Sequence, residues 1–307
     1  MCQTSCIPTC KYFISASLLT SFWYQVNEAD DIEDNVAHLV ALARLALEKG
    51  DVDRAQEILR LGLKIAEDHK FYSGVVYLYD ILSTIALSEG DIKQVENLMT
   101  AVIEKLSLWG FPDDHYNIID FKLRLSRIFS ANGSDQLANV GFETCLNQQQ
   151  AKILSGDTSE KTGILYVNIL FWYGVHKLKN NRYTEAKHMI SNAYEYSTKI
   201  KLLTAKQEMI ILYTLADVST QLGDLEVALT SMLDAIVLAK GIGSVDTPSC
   251  YLKLGGIYEK IGFLDKAKFA YDEALKSASV LGYYDIVTNA ERALGNLKQG
   301  TSNSHEE

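Results

Sequence analysis

The sequence predicts an all-α chain of about six helical hairpins lying side by side, closed by one further helix. Three observations predict it. Only 3 prolines occur in 307 residues, too few for the many turns of an all-β chain this long. A small residue, replaced by Val in one copy, followed by residues of the buried stripe four and seven positions later recurs six times. A second small residue stands twelve positions before each of these anchors. With 48% hydrophobic and 22% charged residues, the composition is that of a folded chain with a sizeable core.

The elements follow in chain order. Residues 12–24 are uncharged and largely apolar, preceded by Lys11 and followed by the acidic run Glu28, Asp30, Asp31, Glu33 and Asp34. As a helix they would span about 20 Å, short of a ~30 Å hydrocarbon core. Three readings stand: a membrane helix stretched over residues 7–26, a secretory signal, or an N-terminus with neither role. Residues 1–34 are assigned together as a targeting or membrane-anchor segment with an acidic linker. Three of the five cysteines (Cys2, Cys6, Cys10) crowd this segment, with Cys145 and Cys250 in the body. That usage fits neither a disulfide framework nor the paired spacing of a zinc site.

Residues 35–298 form the repeat domain. The anchors are Ala55, Val95, Ala138, Ala186, Ala228 and Ala267, separated by 40, 43, 48, 42 and 39 residues. Leu59, Met99, Phe142, Ile190, Met232 and Tyr271 follow at four; Gly62, Val102, Cys145, Ala193, Ala235 and Ala274 follow at seven. Twelve before the anchors stand Ala43, Ser83, Ser126, Gly174, Ala216 and Gly255, each preceded by a larger apolar residue. The paired small residues let two helices approach closely, and large neighbours fill the space around them. Five residues before each anchor, Gly50, Gly90, Gly133, Asn181, Gly223 and Gly262 suit a left-handed helix end. One hairpin cannot bury its apolar face alone, so neighbours must stack. Residues 283–298 read as a capping helix and 299–307 as a polar tail.

A search for chemistry returns no constellation. The six histidines are scattered, with no HExxH and no close Cys partner, and His176 and His188 are assigned to the surface. Gly241-Ile-Gly-Ser lacks the third glycine and preceding strand of a dinucleotide loop, and is assigned to a turn between hairpins. No GxxxxGK[ST] or GxSxG occurs. Neither enzyme activity nor a cofactor or metal is expected. A net charge of −10 disfavours nucleic acid and anionic membrane surfaces as partners.

The order small, aromatic, Gly, Ala, aromatic, Ala at Gly255, Tyr258, Gly262, Ala267, Tyr271 and Ala274 resembles the tetratricopeptide repeat. The resemblance covers about residues 36–281 and is strongest in the last two units. It implies a right-handed superhelical solenoid whose first helices line a concave, protein-binding groove. The residues that would face that groove include Tyr77, Asp80, Arg127, Phe171, Tyr213 and Asp217. The family's clamps for chaperone C-terminal carboxylates use Lys and Asn there; Val40, Arg44, Asp80 and Asp120 occupy the matching places, so such a tail is not the expected partner.

Two blocks, residues 55–87 and 139–153, are similar to a branch of the family found at the mitochondrial inner membrane. That similarity implies a non-catalytic factor facing the intermembrane space, with cytochrome bc1 (respiratory complex III) subunits and its Rieske protein as partners. Assembly and upkeep of that complex, including clearance of Rieske fragments, would be its task. The alternative is a cytoplasmic scaffold of kinesin-light-chain or signalling type. Import presequences are Arg-rich, whereas the first Arg here is Arg44.

Overall fold

The computed structural model describes residues 31–201 and 203–303. Among these residues there are thirteen α-helices and no strand. Residues 1–30, with the expected targeting or anchor segment and Cys2, Cys6 and Cys10, lie outside the described residues.

The helices divide between two compact units, one ending at Gly156 and the other beginning at Asp157. The first holds α1 (Asp31–Glu48), α2 (Val52–Asp68), α3 (Tyr72–Ser88), α4 (Ile92–Leu108), α5 (Tyr116–Ala131) and α6 (Asp135–Leu154). The second holds α7 (Glu160–Lys179), α8 (Tyr183–Ile200), α9 (Ala205–Leu222), α10 (Leu225–Gly241), α11 (Thr247–Ile261), α12 (Leu264–Leu281) and α13 (Tyr284–Asn303). Each unit contains three hairpins, followed in the second by α13, and a helix packs chiefly on its neighbours in sequence.

The hairpin turns follow from two adjacent residues. Gly50 adopts φ +77°, and the next N–H, of Asp51, donates to the Ala46 carbonyl at 2.9 Å. This six-to-one bond closes α1. The Asp51 carboxylate then accepts from the Arg54 N–H at 3.1 Å and caps α2. One dipeptide thus ends one helix and starts the next. Gly90-Asp91 and Gly223-Asp224 repeat the device, with six-to-one bonds of 2.9 Å to Ala86 and Ser219 and carboxylate caps on Gln94 and Val227. Gly133, Asn181 and Gly262 keep the positive φ without a side-chain cap on the following helix.

The second set of turns, between hairpins, has a register of its own. Lys70, Gly110, Lys201, Gly243 and Gly282 are left-handed, and each lies 15 residues after its anchor. In the third hairpin the left-handed residue, Gly156, lies 18 after it, because α6 has 20 residues where α2 and α4 have 17. The sequence reading found this turn only around Gly243; lysines at 70 and 201 carry no turn signal.

The core is built as the pattern requires. All six anchors are buried, as are the residues four and seven positions later and the small residues twelve before. A Cβ on Gly255 would overlap the Tyr271 ring, and one on Gly174 would come within 2.6 Å of Ile190 Cγ1. At those crossings the helices meet backbone to side chain. Each large side chain so buried contributes about 1.5–3 kcal/mol. α13 packs on α12 and α11, shielding the last hairpin, and runs to Asn303.

Candidate partner-binding surfaces

Polar side chains link one hairpin to the next, in two places through first helices. In the first unit, Arg124 of α5 forms an ion pair with Asp80 of α3 and a second, at 2.8 Å, with Asp120 one turn before it. Its guanidinium also lies 5.4 Å from the centroid of the Phe121 ring. Burial opposes its charge, but the Asp120 and Asp80 carboxylates outweigh it and hold the guanidinium above its ordinary range. Burial, then the Asp120 charge, pushes the neighbouring Tyr116 phenol up as well.

A second network joins α2, α3 and α4. Glu67 accepts from Lys105 at 3.1 Å and from the Tyr79 hydroxyl at 3.2 Å. At the loop before α5, Asp113 accepts from Lys122 at 2.6 Å and from Gln148 at 2.7 Å. The bond from Lys122 holds the Asp113 carboxyl below the usual range.

The second unit has one counterpart to the Arg124 site. Lys253 of α11 pairs with Asp217 of α9, again linking first helices of successive hairpins. Arg124 and Lys253 each stand 14 residues before their anchors, Ala138 and Ala267. Asp80 stands 15 before Val95 and Asp217 stands 11 before Ala228. The cations therefore occupy one repeat position and the acids two positions one helical turn apart on the same face.

Of the six residues expected to face a groove, Tyr77 and Asp80 lie on α3, Arg127 on α5, Phe171 on α7, and Tyr213 and Asp217 on α9. Tyr77 and Arg127 are half-buried. Asp80 and Asp217 are buried in the ion pairs, and Tyr213 and Phe171 are buried at 7% and 2% exposure. The sequence reading missed Arg124 and Lys253. Their shared register is the signal that could have found them, once the anchors are aligned.

His188 is exposed as expected, but His176 is buried at 1% exposure. The correction follows from α7, which buries almost every residue from Gly163 to Lys177 and so has no solvent face at that position. Cys145 and Cys250 are buried, and burial pushes both thiols up to about 12. They are protonated at neutral pH and poor nucleophiles. Among the described residues no group of His, Cys, Asp and Glu is placed to hold a metal ion, and no helix is long and apolar enough to cross a membrane.

This geometry of paired helices, left-handed turns and linked first helices coincides with a sequence match. Residues 39–69 and 248–280 fit a tetratricopeptide repeat model. In those two stretches the chain carries the tetratricopeptide repeat. It is similar to the tetratricopeptide repeat protein 19 homolog, mitochondrial, of Drosophila melanogaster, with 23% identity over 93% of this chain and 78% of that protein. It is similar also to the Homo sapiens tetratricopeptide repeat protein 19, mitochondrial, with 24% identity over 82% of this chain and 69% of that one. Among solved structures, BtubC from P. vanneervenii superposes with a TM-score of 0.64 at 15% identity, covering 83% of this chain and 93% of that chain. The tetratricopeptide repeats and these relatives support a protein-interaction scaffold.

Proposed function

We propose that this protein is a non-catalytic docking factor for mitochondrial respiratory complex III, acting on the intermembrane-space side of the inner membrane. In this reading it binds subunits of cytochrome bc1, supports their assembly and upkeep, and takes part in clearing fragments of the Rieske protein. The observation that carries the reading is the similarity to relatives named mitochondrial tetratricopeptide repeat protein 19 over 82–93% of the chain. The arrangement of the first helices supports it. Tyr77 and Arg127, half-buried on first helices of one unit, and Lys253, 32% exposed beside Asp217 in the other, offer aromatic and charged surface. Such surfaces suit an extended or helical protein segment carrying both apolar and charged residues.

Affinity purification of the C-terminally tagged chain from solubilised mitochondria tests the proposal. Recovery of cytochrome bc1 subunits is the expected result. A tagged chain found in the cytosol with no such subunits attached overturns it in favour of a cytoplasmic scaffold. Replacing the half-buried Tyr77 by Ala should reduce the recovered bc1 subunits while leaving the circular dichroism spectrum unchanged.

A further inference from the structure

One turn between hairpins carries more apolar surface than the repeat requires. The residue just before the left-handed one is His69, Ser155, Ile200, Ile242 and Leu281 in five of these turns, and Trp109 in the turn from α4 to α5. A serine suffices at that place, so the hairpin frame does not dictate an indole. Tyr72, at the start of α3, meets Trp109 edge to face at 5.0 Å and Phe111 at 5.2 Å between ring centroids. Tyr72 is still 41% exposed, and Leu108, beside the indole in the chain, is 82% exposed. Rings and leucine thus make one apolar patch within the first unit.

The charges around this patch lean one way. Asp68 and Glu104 are exposed, and Asp113 and Asp114 expose 68% and 50% of their side chains. The lysines paired with these last two lie lower, with Lys122 and Lys152 only 20% and 22% exposed. Lys105 is held by Glu67, 6.0 Å from the indole centroid. Lys64 and Lys70, on α2 and its turn, are the exposed bases nearby. The His115 N–H donates to the Pro112 carbonyl at 2.8 Å, closing the loop that carries Asp113 and Asp114, so both carboxylates are in position before any partner arrives.

We propose that this patch docks a cationic segment of a partner protein, one that brings Arg or Lys to Asp113 and Asp114 and an aliphatic side chain to Leu108 and the Tyr72–Trp109 rings. Opposite charge steers such a segment toward the acidic unit and fixes its register. A guanidinium suits the site best, because it pairs with a carboxylate and also lies flat on an aromatic face. An anionic segment or an anionic lipid surface would meet the exposed carboxylates instead. A wholly apolar segment would cover Leu108 but strip those carboxylates of water with nothing in exchange.

Two synthetic peptides and the full chain test the proposal, one peptide alternating Arg and Leu over about twelve residues and the other carrying Glu in place of each Arg. Fluorescence anisotropy reads the affinity, and hydrogen exchange reads the site. The Arg–Leu peptide should bind about tenfold or more tightly than the Glu–Leu peptide, slow exchange in residues 68–72 and 104–115, and weaken as salt is added. Leu108→Ser changes a side chain exposed enough to leave folding intact and should weaken binding about fivefold. Asp113→Asn with Asp114→Asn should weaken it about tenfold. Should that double variant not fold, Asp68→Asn with Glu104→Gln must still weaken binding about threefold. Val280→Ser, an equally exposed position of the second unit, should leave it unchanged. Equal affinity for the two peptides overturns the proposal, as does exchange slowed only outside those two stretches. So does a dimer of the peptide-free chain that Leu108→Ser dissolves, which assigns the patch to a second copy, or binding to phosphatidylcholine–cardiolipin vesicles that Leu108→Ser abolishes, which assigns it to a membrane.

Discussion

The two units use one repeat plan under different electrostatic loads. The described residues up to Gly156 carry 19 Asp and Glu against 12 Lys and Arg, whereas those from Asp157 onward carry 16 of each. Each unit places one cation 14 residues before an anchor and pairs it with a carboxylate on the preceding first helix. In the acidic unit that cation is an arginine, with side-chain exposure of 13%, shared by two carboxylates. In the balanced unit it is a lysine, 32% exposed, with one partner. The hairpin frame thus fixes where a linking charge can sit, and the surrounding charge decides how much the link matters.

The sharpest break in this comparison is expected from the arginine. Arg124→Ala leaves Asp80 and Asp120 with no counter-charge in a mostly buried site, and should cost the first unit about 3 kcal/mol in a urea melt. The second unit has a larger steric vulnerability than an electrostatic one. Gly255→Leu drives a side chain into the Tyr271 ring and should cost about 1–3 kcal/mol by thermal melt; no loss would mean the helix crossing is looser than the register requires. Lys253→Ala, the counterpart of the arginine change, should cost only about 1 kcal/mol because the lysine is partly solvated. Equal losses for Arg124→Ala and Lys253→Ala would dissolve the distinction between the units. Smaller still is the effect expected at the thiols. Cys145 and Cys250 are the described cysteines, one in each unit, and each reacts only when its unit opens. In low salt, peptide-resolved alkylation should find Cys145 labelling a few-fold faster than Cys250, because self-repulsion favours opening of the acidic unit. Added salt should narrow the gap.

Most of the hairpin frame was legible because it rests on local chemistry. A Gly-Asp pair announces a helix end and a cap within two residues, and an Ala with partners at four and seven announces a buried stripe. The six anchors are buried for that reason. The turns at Lys70 and Lys201 were not legible, since a lysine in the left-handed region is imposed by the packing on either side rather than by its own preference. The ion pairs were hidden for another reason. Asp80 and Arg124 are 44 residues apart, and their meeting depends on how one hairpin rests on the next. Asp80 and Asp217 could be placed on first helices from the repeat alone, but whether a carboxylate there is open or already paired is decided by its neighbour. His176 shows the same limit, because a residue near a helix end reads as exposed until α7 is seen to be apolar on every side.

Contacts that run chiefly from each helix to the next one in the chain have a mechanical consequence. A tension applied to one end of such a unit loads a single hairpin interface at a time, unlike a sheet that shears as a block. Under a pull from its C-terminus the second unit should yield α13 first and then whole hairpins, paying out about 40 residues per event. The protein would lengthen in a staircase, and what remained after each step would still be an ordered stack.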